Sequence, residues 1–442
     1  MAEGSTTVSD PRALLARAPM RGRQILVIAI CVALNALDGF DVLSISFASP
    51  GIAAEWGIDR AALGIVLSME LIGMAFGAMI LGHAADRIGR RPTALLCLMV
   101  MAGGMYATTL AANVTVLAVL RLLTGLGIGG MLACTNAMTA EFANDRWRGA
   151  AVAIMAAGYP LGAIIGGSVV TGLLETGGWR DIFSFGALVT AAFIPVVYLL
   201  VPETVGFTVQ KQPADALARV NRALAALGHP PVDALPPPPP TQPKAGFAAL
   251  LAPGMARITL LLTVAYFFHI MTLYFVLKWV PKLVVDMGFH PAQASGVLVW
   301  ANVGGLTGSL LLSLLALRIG LRPLVMAAML LSAAMVGYFG AGHDSLLTLS
   351  LAAAAAGFCT NAGVVGSYAL IAASFPTAMR AGGTGFVIGF GRGGAALGPI
   401  AAGFLFEAGF GLGIVALIMG AGSLVAVLAL IGLPPPKSQP HL

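Results

Sequence analysis

Asp38 and Asp41 stand three residues apart in Leu37-Asp38-Gly39-Phe40-Asp41, inside a long apolar run. On a helix the two carboxylates share a face, with Asn35 one turn earlier. Two carboxylates in a partly dry site cannot both ionise cheaply, which suits a proton carrier. The plainer alternative is a structural pair capped by backbone or by a cation from another helix. Arg392, in Gly391-Arg392-Gly393-Gly394, has a planar fork that matches a carboxylate with two hydrogen bonds. It points to recognition of an acid, or to an ion pair with an Asp or Glu elsewhere in the chain. The glycines around it leave room for a ligand. Arg121 is the second cation for such an acid, or else a brace paired with Glu70 or with an aspartate of the first apolar run. Lys278 either extends its stem so that its ammonium reaches water beside Lys282, or guides an anion inward. Glu70 shares a face with Gly73 and Gly77 and reads as a buried partner or as an alternative proton site. His269 can relay protons near neutral pH or simply pack.

The elements that must position these groups are membrane helices. The 442 residues are 58% hydrophobic and 10% charged, with 56 glycines. A soluble domain carries about 25% charged residues, and one of this composition would expose large apolar patches. Small residues suit close helix packing in a bilayer. A charge at mid-bilayer costs at least about 2.5–3.5 kcal/mol, so Asp38, Asp41, Arg121, Lys278 and Arg392 must face a cavity or a partner. Spans of about 20 apolar residues are expected at 24–48, 61–83, 92–112, 114–138, 149–174 and 181–201. Six more are expected at 256–284, 292–316, 321–341, 345–372, 379–406 and 410–433. The fold class is therefore all-α, with twelve transmembrane helices. Cys31, Cys97, Cys134 and Cys359 sit singly in apolar runs and read as packing residues. No cleavable secretory signal is expected at the N-terminus.

Lys and Arg set the orientation. Eighteen of the 24 basic residues fall in the N-terminal tail, the even-numbered loops and the C-terminal tail, and three (Arg60, Arg180, Lys282) in the odd loops. Both termini are therefore expected in the cytoplasm of a multi-pass protein of the bacterial inner membrane. The net charge of +6 thus reports topology, and nucleic acid is not expected as a partner. Three domains follow: a six-helix bundle over 1–201, a cytoplasmic linker over 202–255 and a second bundle over 256–442. Within the linker, 213–227 has the spacing of a surface helix, and Pro236 to Pro240 would form an extended polyproline segment, read as a spacer between the halves or, alternatively, as a recognition site for a partner.

The halves repeat. Gly82-His83-Ala84-Ala85-Asp86-Arg87-Ile88-Gly89-Arg90-Arg91-Pro92 answers Ser313-Leu314-Leu315-Ala316-Leu317-Arg318-Ile319-Gly320-Leu321-Arg322-Pro323, with the shared RIGxRP 231 residues apart. Such six-helix repeats place the substrate between the halves near mid-membrane. The first copy resembles the GxxxDRxGRR signature of the major facilitator superfamily, and Arg121-Leu122-Leu123-Thr124-Gly125-Leu126-Gly127 resembles that family's RxxxGxG. The resemblance implies that Asp86 pairs across the domain interface, forming a conformational latch with Arg87, Arg90 and Arg91. Leu317 replaces the acid in the second copy.

The DGxD of Asp38 to Asp41 is similar to that of the aromatic acid:proton symporters, which carry 4-hydroxybenzoate, benzoate, protocatechuate or hydroxyphenylpropionate. Gly125 to Gly130 running on to Asn136 and Glu141, Tyr274 to Pro281 and Gly391 to Pro399 support the resemblance. It implies proton-coupled import of a small aromatic carboxylate by alternating access, with Asp38 and Asp41 coupling the proton. Tyr274, Phe275, Trp279 and Trp300 then offer faces for the ring, and Asn136, Asn302 and Asn361 donors for its hydroxyls. The alternatives are a carrier of a non-aromatic acid, a drug exporter, or a receptor on the same scaffold. No nucleotide loop, metal spacing or nucleophile motif marks an enzyme, and neither a cofactor nor an obligate protein partner is expected.

Overall fold

The computed structural model describes residues 10–237, 250–376 and 379–434. Among them are fifteen α-helices. The short ones are α1 (Pro11–Arg17), α8 (Val205–Lys211) and α9 (Ala216–Leu227). The first six long ones are α2 (Gly22–Trp56), α3 (Arg60–Ile88), α4 (Arg90–Thr109), α5 (Val114–Phe142), α6 (Arg148–Thr176) and α7 (Trp179–Leu200). The second six are α10 (Ala256–Asp286), α11 (Pro291–Leu315), α12 (Leu321–Gly340), α13 (Leu346–Ser374), α14 (Arg380–Glu407) and α15 (Leu412–Ile431). Eleven of these twelve are long and apolar enough to cross a membrane. The twelfth, α14, is diluted by glycine and by Arg380 and Arg392, and packs against α10 and α3.

Each predicted span coincides with one long helix. The largest difference is at the first, which runs on to Trp56 through Pro50. A proline inside a helix withdraws one N–H, here the donor to the Ser46 carbonyl. The Ser49 hydroxyl donates to that carbonyl instead, at 2.8 Å, so the helix continues.

The two sets of six pack alike. In the first, α2 lies on α6, α3 on α5, and α4 on both α5 and α7; in the second, α10 lies on α14, α11 on α13, and α12 on both α13 and α15. The internal repeat is therefore visible as two pseudo-symmetric six-helix bundles. Glycine makes the close seams: a Cβ at Gly162 would lie 1.7 Å from the Ala36 carbonyl oxygen of α2, and one at Gly73 or Gly77 2.1 Å from a carbonyl oxygen of α5.

The bundles meet through α3–α14, α6–α11 and α2–α10. They are closed at the end remote from Gly22 and Ile431. There Arg60 pairs with Asp286 at 3.0 Å, and a Cβ on Gly64 would lie 2.6 Å from the Pro399 carbonyl oxygen. At the opposite end α8 and α9 dock on the first bundle. Val220, Leu224 and Leu227 are buried in the same cluster as Val27, Phe142 and Val201, while Arg219 and Arg222 stay exposed. Pro238 to Pro240 of the proline run lie outside the described residues.

Candidate functional site

Asp38 and Asp41 sit midway along α2, almost wholly buried. None of their four carboxyl oxygens has a hydrogen-bond partner among the described residues. Asp41 Oδ1 faces Gly186 of α7, and Asp38 lies within electrostatic reach of Cys97 and Cys134. Asn35, one turn earlier, donates to the Met155 carbonyl at 2.7 Å and so fastens α2 to α6. The pair faces the interior of the first bundle.

Beside the pair is a buried charge network. Arg121 of α5 pairs with Glu70 of α3, lies over the Phe183 ring at 5.1 Å, and donates to the Asp41 carbonyl oxygen at 3.3 Å and to Ser44 Oγ at 3.4 Å. Lys278 enters from the other bundle. Its ammonium lies 3.7 Å from Glu70 Oε2 and donates to the Val42 carbonyl. This corrects the reading of Lys278 as an interfacial lysine reaching water: its side chain is 0% exposed. The helix that carries it packs on α2, which places the ammonium inside the first bundle's charge network.

Arg392 is half-buried on α14 and has no carboxylate within ion-pair distance among the described residues. It lies within electrostatic reach of the hydroxyls of Tyr159, Tyr266 and Tyr274. Tyr159 belongs to the first bundle and the other two to α10 of the second. The Tyr159 hydroxyl lies against that of Tyr274, and Tyr266 donates to Tyr368 Oη at 3.1 Å. Of the glycines beside Arg392, Gly391 and Gly394 close on α10 instead of opening space for a ligand, while a Cβ on Gly393 would meet only the Phe267 ring, at 3.4 Å. A Cβ on Gly391 would lie 2.0 Å from the Tyr266 ring, and one on Gly394 2.2 Å from the Phe267 carbonyl oxygen. They bring α14 against α10 and so bring the guanidinium near the tyrosines.

The remaining predicted groups divide. Tyr274 is half-buried at this site. Trp279 is wholly buried, donating to the Pro399 carbonyl at 3.1 Å and meeting the Phe406 ring at a tilt of 50° with centroids 5.0 Å apart, and Phe275 is buried in the core. Both are packing residues in this arrangement. Trp300 is 51% exposed on the face of α11 that carries Leu311 and Leu314, so it does not stack with Tyr274; its sequence neighbours gave no sign of which face it takes. The Asn136 and Asn302 amides donate to carbonyls one turn back, at 2.8 and 2.9 Å. Asn361, half-buried beside Gly305, makes no hydrogen bond among the described residues and keeps its amide available. His269 is held between Ser423 Oγ and the Thr360 carbonyl, both at 2.9 Å, a packing arrangement within the second bundle.

The loop of Asp86 to Arg91 turns at Gly89, whose φ of 112° falls in the region that favours glycine. Asp86 is exposed and pairs with Arg90 at 3.2 Å, one turn on and in its own bundle. In this conformation it makes, among the described residues, none of the cross-bundle ion pairs a latch requires. Arg90 also meets Glu141 at 3.2 Å, and Arg91 donates to the Tyr198 carbonyl; Arg87 is exposed. Glu203, from the linker, accepts the backbone N–H groups of Arg90 and Arg91 at 3.0 and 3.3 Å. Burial pushes its carboxyl above the usual carboxylate range, against those N–H donors.

Sequence reasoning missed Tyr159, Tyr266 and Tyr368. For Tyr159 a signal existed: it adjoins Pro160, which stands as far into α6, counted from Arg148, as Arg392 stands into α14, counted from Arg380.

A model of the major facilitator superfamily matches residues 28–306 and 260–442. The chain belongs to the major facilitator superfamily. It is 30% identical to a gallate transporter of Pseudomonas putida over 93% of this chain and 92% of that one. It is 31% identical to a 3-(3-hydroxy-phenyl)propionate transporter of Escherichia coli, over 92% and 93%. A 4-hydroxybenzoate transporter of Pseudomonas putida is 28% identical over 88% of each chain. The fold is similar to the inward-open xylose transporter of E. coli, with TM-score 0.70 and 18% identity over 94% of this chain and 98% of that one. The chain is thus a multi-pass membrane transporter of this superfamily and not an enzyme.

Proposed function

We propose that this facilitator is a proton-coupled symporter that imports a small aromatic carboxylate across a bacterial inner membrane by alternating access. The observation that carries the reading is Arg392: a half-buried guanidinium with no carboxylate to neutralise it among the described residues, near tyrosines from both bundles. A carboxylate on an aromatic ring suits that set, its charge on the guanidinium fork and its ring and hydroxyls among the phenols. The names of the relatives, all carriers of such acids, agree.

Asp38 and Asp41 are the proposed proton carriers. Ionised and neutral carboxyl groups differ steeply in the cost of burial without a hydrogen bond, so proton binding there must be coupled to how the helices around the pair are arranged. Tyr274 and Asn361 complete the proposed substrate site. With both termini in the cytoplasm, as the Lys and Arg distribution indicates, the closed end is periplasmic and this conformation faces inward. Asp86 would then act as a latch only when the cytoplasmic end shuts. The bundles over 1–201 and 256–442 are the proposed moving bodies, joined by 202–255.

The test is uptake of radiolabelled gallate, 3-(3-hydroxyphenyl)propionate and 4-hydroxybenzoate by the reconstituted chain. Uptake should rise as external pH falls and collapse with a protonophore. Accumulation that ignores both would remove proton coupling, and failure to accumulate any of the three would remove the substrate class.

A further inference from the structure

At the end of the first bundle where α2 begins, a cavity of about 820 Å³ lies between α1, the start of α2 and the turn from α5 to α6. Its volume falls within the range of small-molecule sites, about 300–1,000 Å³. Hydrogen bonds hold its frame. The Asp145 N–H donates to the Ala16 carbonyl at 2.9 Å, and the Asn144 amide donates to the Ala18 carbonyl at 3.1 Å. Both tie the end of α1 to the turn before α6, so the cavity is preorganised for a ligand.

The lining divides by chemistry. Arg17 and Arg146 supply two exposed guanidinium groups, and neither has a carboxylate within ion-pair distance among the described residues. Asp145, the acid of the lining, is already paired with Arg148 at 2.8 Å. Further along α2 and α6 the walls are apolar. Ile28 is buried, whereas Ile25 and Ile154 are 55% and 59% exposed. Exposed isoleucines on helices long and apolar enough to cross a membrane face hydrocarbon. Trp147, 52% exposed, lines the same cavity, as suits an indole at the boundary between hydrocarbon and water. The cavity thus spans that boundary, cationic on its wet side and apolar on its lipid side. A free anion would leave the apolar wall unused, and a zwitterionic lipid would bring a cation of its own to two guanidinium groups.

We propose that this cavity binds one anionic phospholipid, with its phosphate between Arg17 and Arg146 and an acyl chain along Ile25, Ile28 and Ile154. Guanidinium forks suit a phosphate, since each offers it paired hydrogen bonds. Basic pockets on the cytoplasmic side of membrane proteins take lipid headgroups in this way, and the Lys and Arg distribution puts this end on that side. The bound lipid joins α1 to the start of α6. Every lining residue belongs to α1, α2 or the α5–α6 region, so the site depends neither on which acid is carried nor on which end of the carrier is open.

The experiment places the full chain in vesicles of phosphatidylglycerol and phosphatidylcholine, one lipid at a time carrying brominated acyl chains, which quench a tryptophan they touch. Trp300→Phe removes the other tryptophan of like exposure, and Trp147→Phe in that background supplies the blank, so the difference reports on Trp147. Phosphatidylglycerol should be preferred there about tenfold, which is about 1.4 kcal/mol. Arg17→Gln/Arg146→Gln should bring the preference to within about twofold of unity. Arg219→Gln/Arg222→Gln, which removes the same charge from α9, should leave it within about twofold of wild type. Ala150→Phe, which fills the cavity with both arginines in place, should also abolish it. Every substituted position is exposed, so these variants should fold. Soluble glycerol phosphate should not displace the lipid; if it does, the cavity is a site for free phosphate and the lipid assignment falls. Equal quenching by the two lipids would overturn the proposal, as would a preference that survives Arg17→Gln/Arg146→Gln or Ala150→Phe. A preference lost equally in Arg219→Gln/Arg222→Gln would replace the site by the diffuse attraction of a basic face.

Discussion

Arg60, at the start of α3, and Asp286, at the end of α10, form a 3.0 Å ion pair between the bundles, and the same carboxylate also binds Lys282 of its own helix. Both partners are partly exposed. Pairs of that kind contribute about 0–1 kcal/mol, and Lys282 keeps Asp286 compensated when Arg60 is removed. Arg60→Ala should therefore change the melting temperature and net transport only slightly. Cysteine labelling of the closed end should likewise stay close to wild type. A large rise in labelling would mean that this outer pair, and not the buried contacts of Glu70 and Lys278, holds the end shut.

The aspartate pair makes a sharper demand. Neither carboxyl has a hydrogen-bond partner to lose among the described residues, so Asp38→Asn and Asp41→Asn remove no ion pair there and should leave insertion and stability nearly intact. Each should abolish accumulation against a gradient while substrate binding survives. Binding measured by thermal shift beside accumulation measured in energised vesicles separates the two. If the Asp38→Asn/Asp41→Asn double variant still concentrates substrate, the pair does not couple the proton.

Much of the architecture could be read from residue order, and the reason is physical. A bilayer forces each span to be long and apolar, so span positions are written in hydropathy, and the repeat of Arg87-Ile88-Gly89 in Arg318-Ile319-Gly320 marks the two halves. The site was legible only as a set of charges out of place. Which charge meets which depends on how α10 packs on α2 and α14 on α3, and no local pattern encodes that. Lys278 shows the gap: three residues after Phe275 and four before Lys282, it looked interfacial, yet its ammonium lies beside Glu70. The glycines flanking Arg392 show another. Glycine marks a close approach, but the sequence does not say whether a ligand or another helix approaches.

Docking of the linker should depend on pH through His229. Its Nε2 lies 2.9 Å from Gln24 Oε1, and Gln24 in turn donates to the Phe142 carbonyl at 2.9 Å. Burial, with Arg21 nearby, holds the imidazole below its ordinary value of 6.5. The docked state thus prefers neutral histidine. Its contribution is fully present above pH 6.5 and is lost as pH falls from there through the lower value of the docked state. Amide hydrogen exchange across 216–232, corrected for intrinsic rate, should be slower at pH 8 than at pH 5.5. His229→Gln should flatten that difference. An unchanged pH dependence in the variant would assign it to other groups.

Arg392 carries the substrate reading, and its removal should show it. The guanidinium has no carboxylate partner among the described residues, so Arg392→Ala leaves no protein anion unpaired and any loss must fall on the ligand. A desolvated charge-assisted contact is worth a few kcal/mol when one member is deleted. Binding should weaken on the order of a hundredfold, since about 1.4 kcal/mol corresponds to tenfold. Arg392→Lys should recover only part, because an ammonium cannot reproduce the two-pronged fork. The decisive ligand is the neutral amide of the preferred acid. Wild type should bind it far more weakly than the acid, whereas Arg392→Ala should hardly distinguish them. Tyr159→Phe and Tyr274→Phe provide the control: each keeps the ring and removes one hydroxyl, so each should weaken acid and amide alike. If Arg392→Ala retains the full preference for the acid, the carboxylate binds elsewhere. Lys278 and Arg121 then become its partners, in direct competition with Glu70.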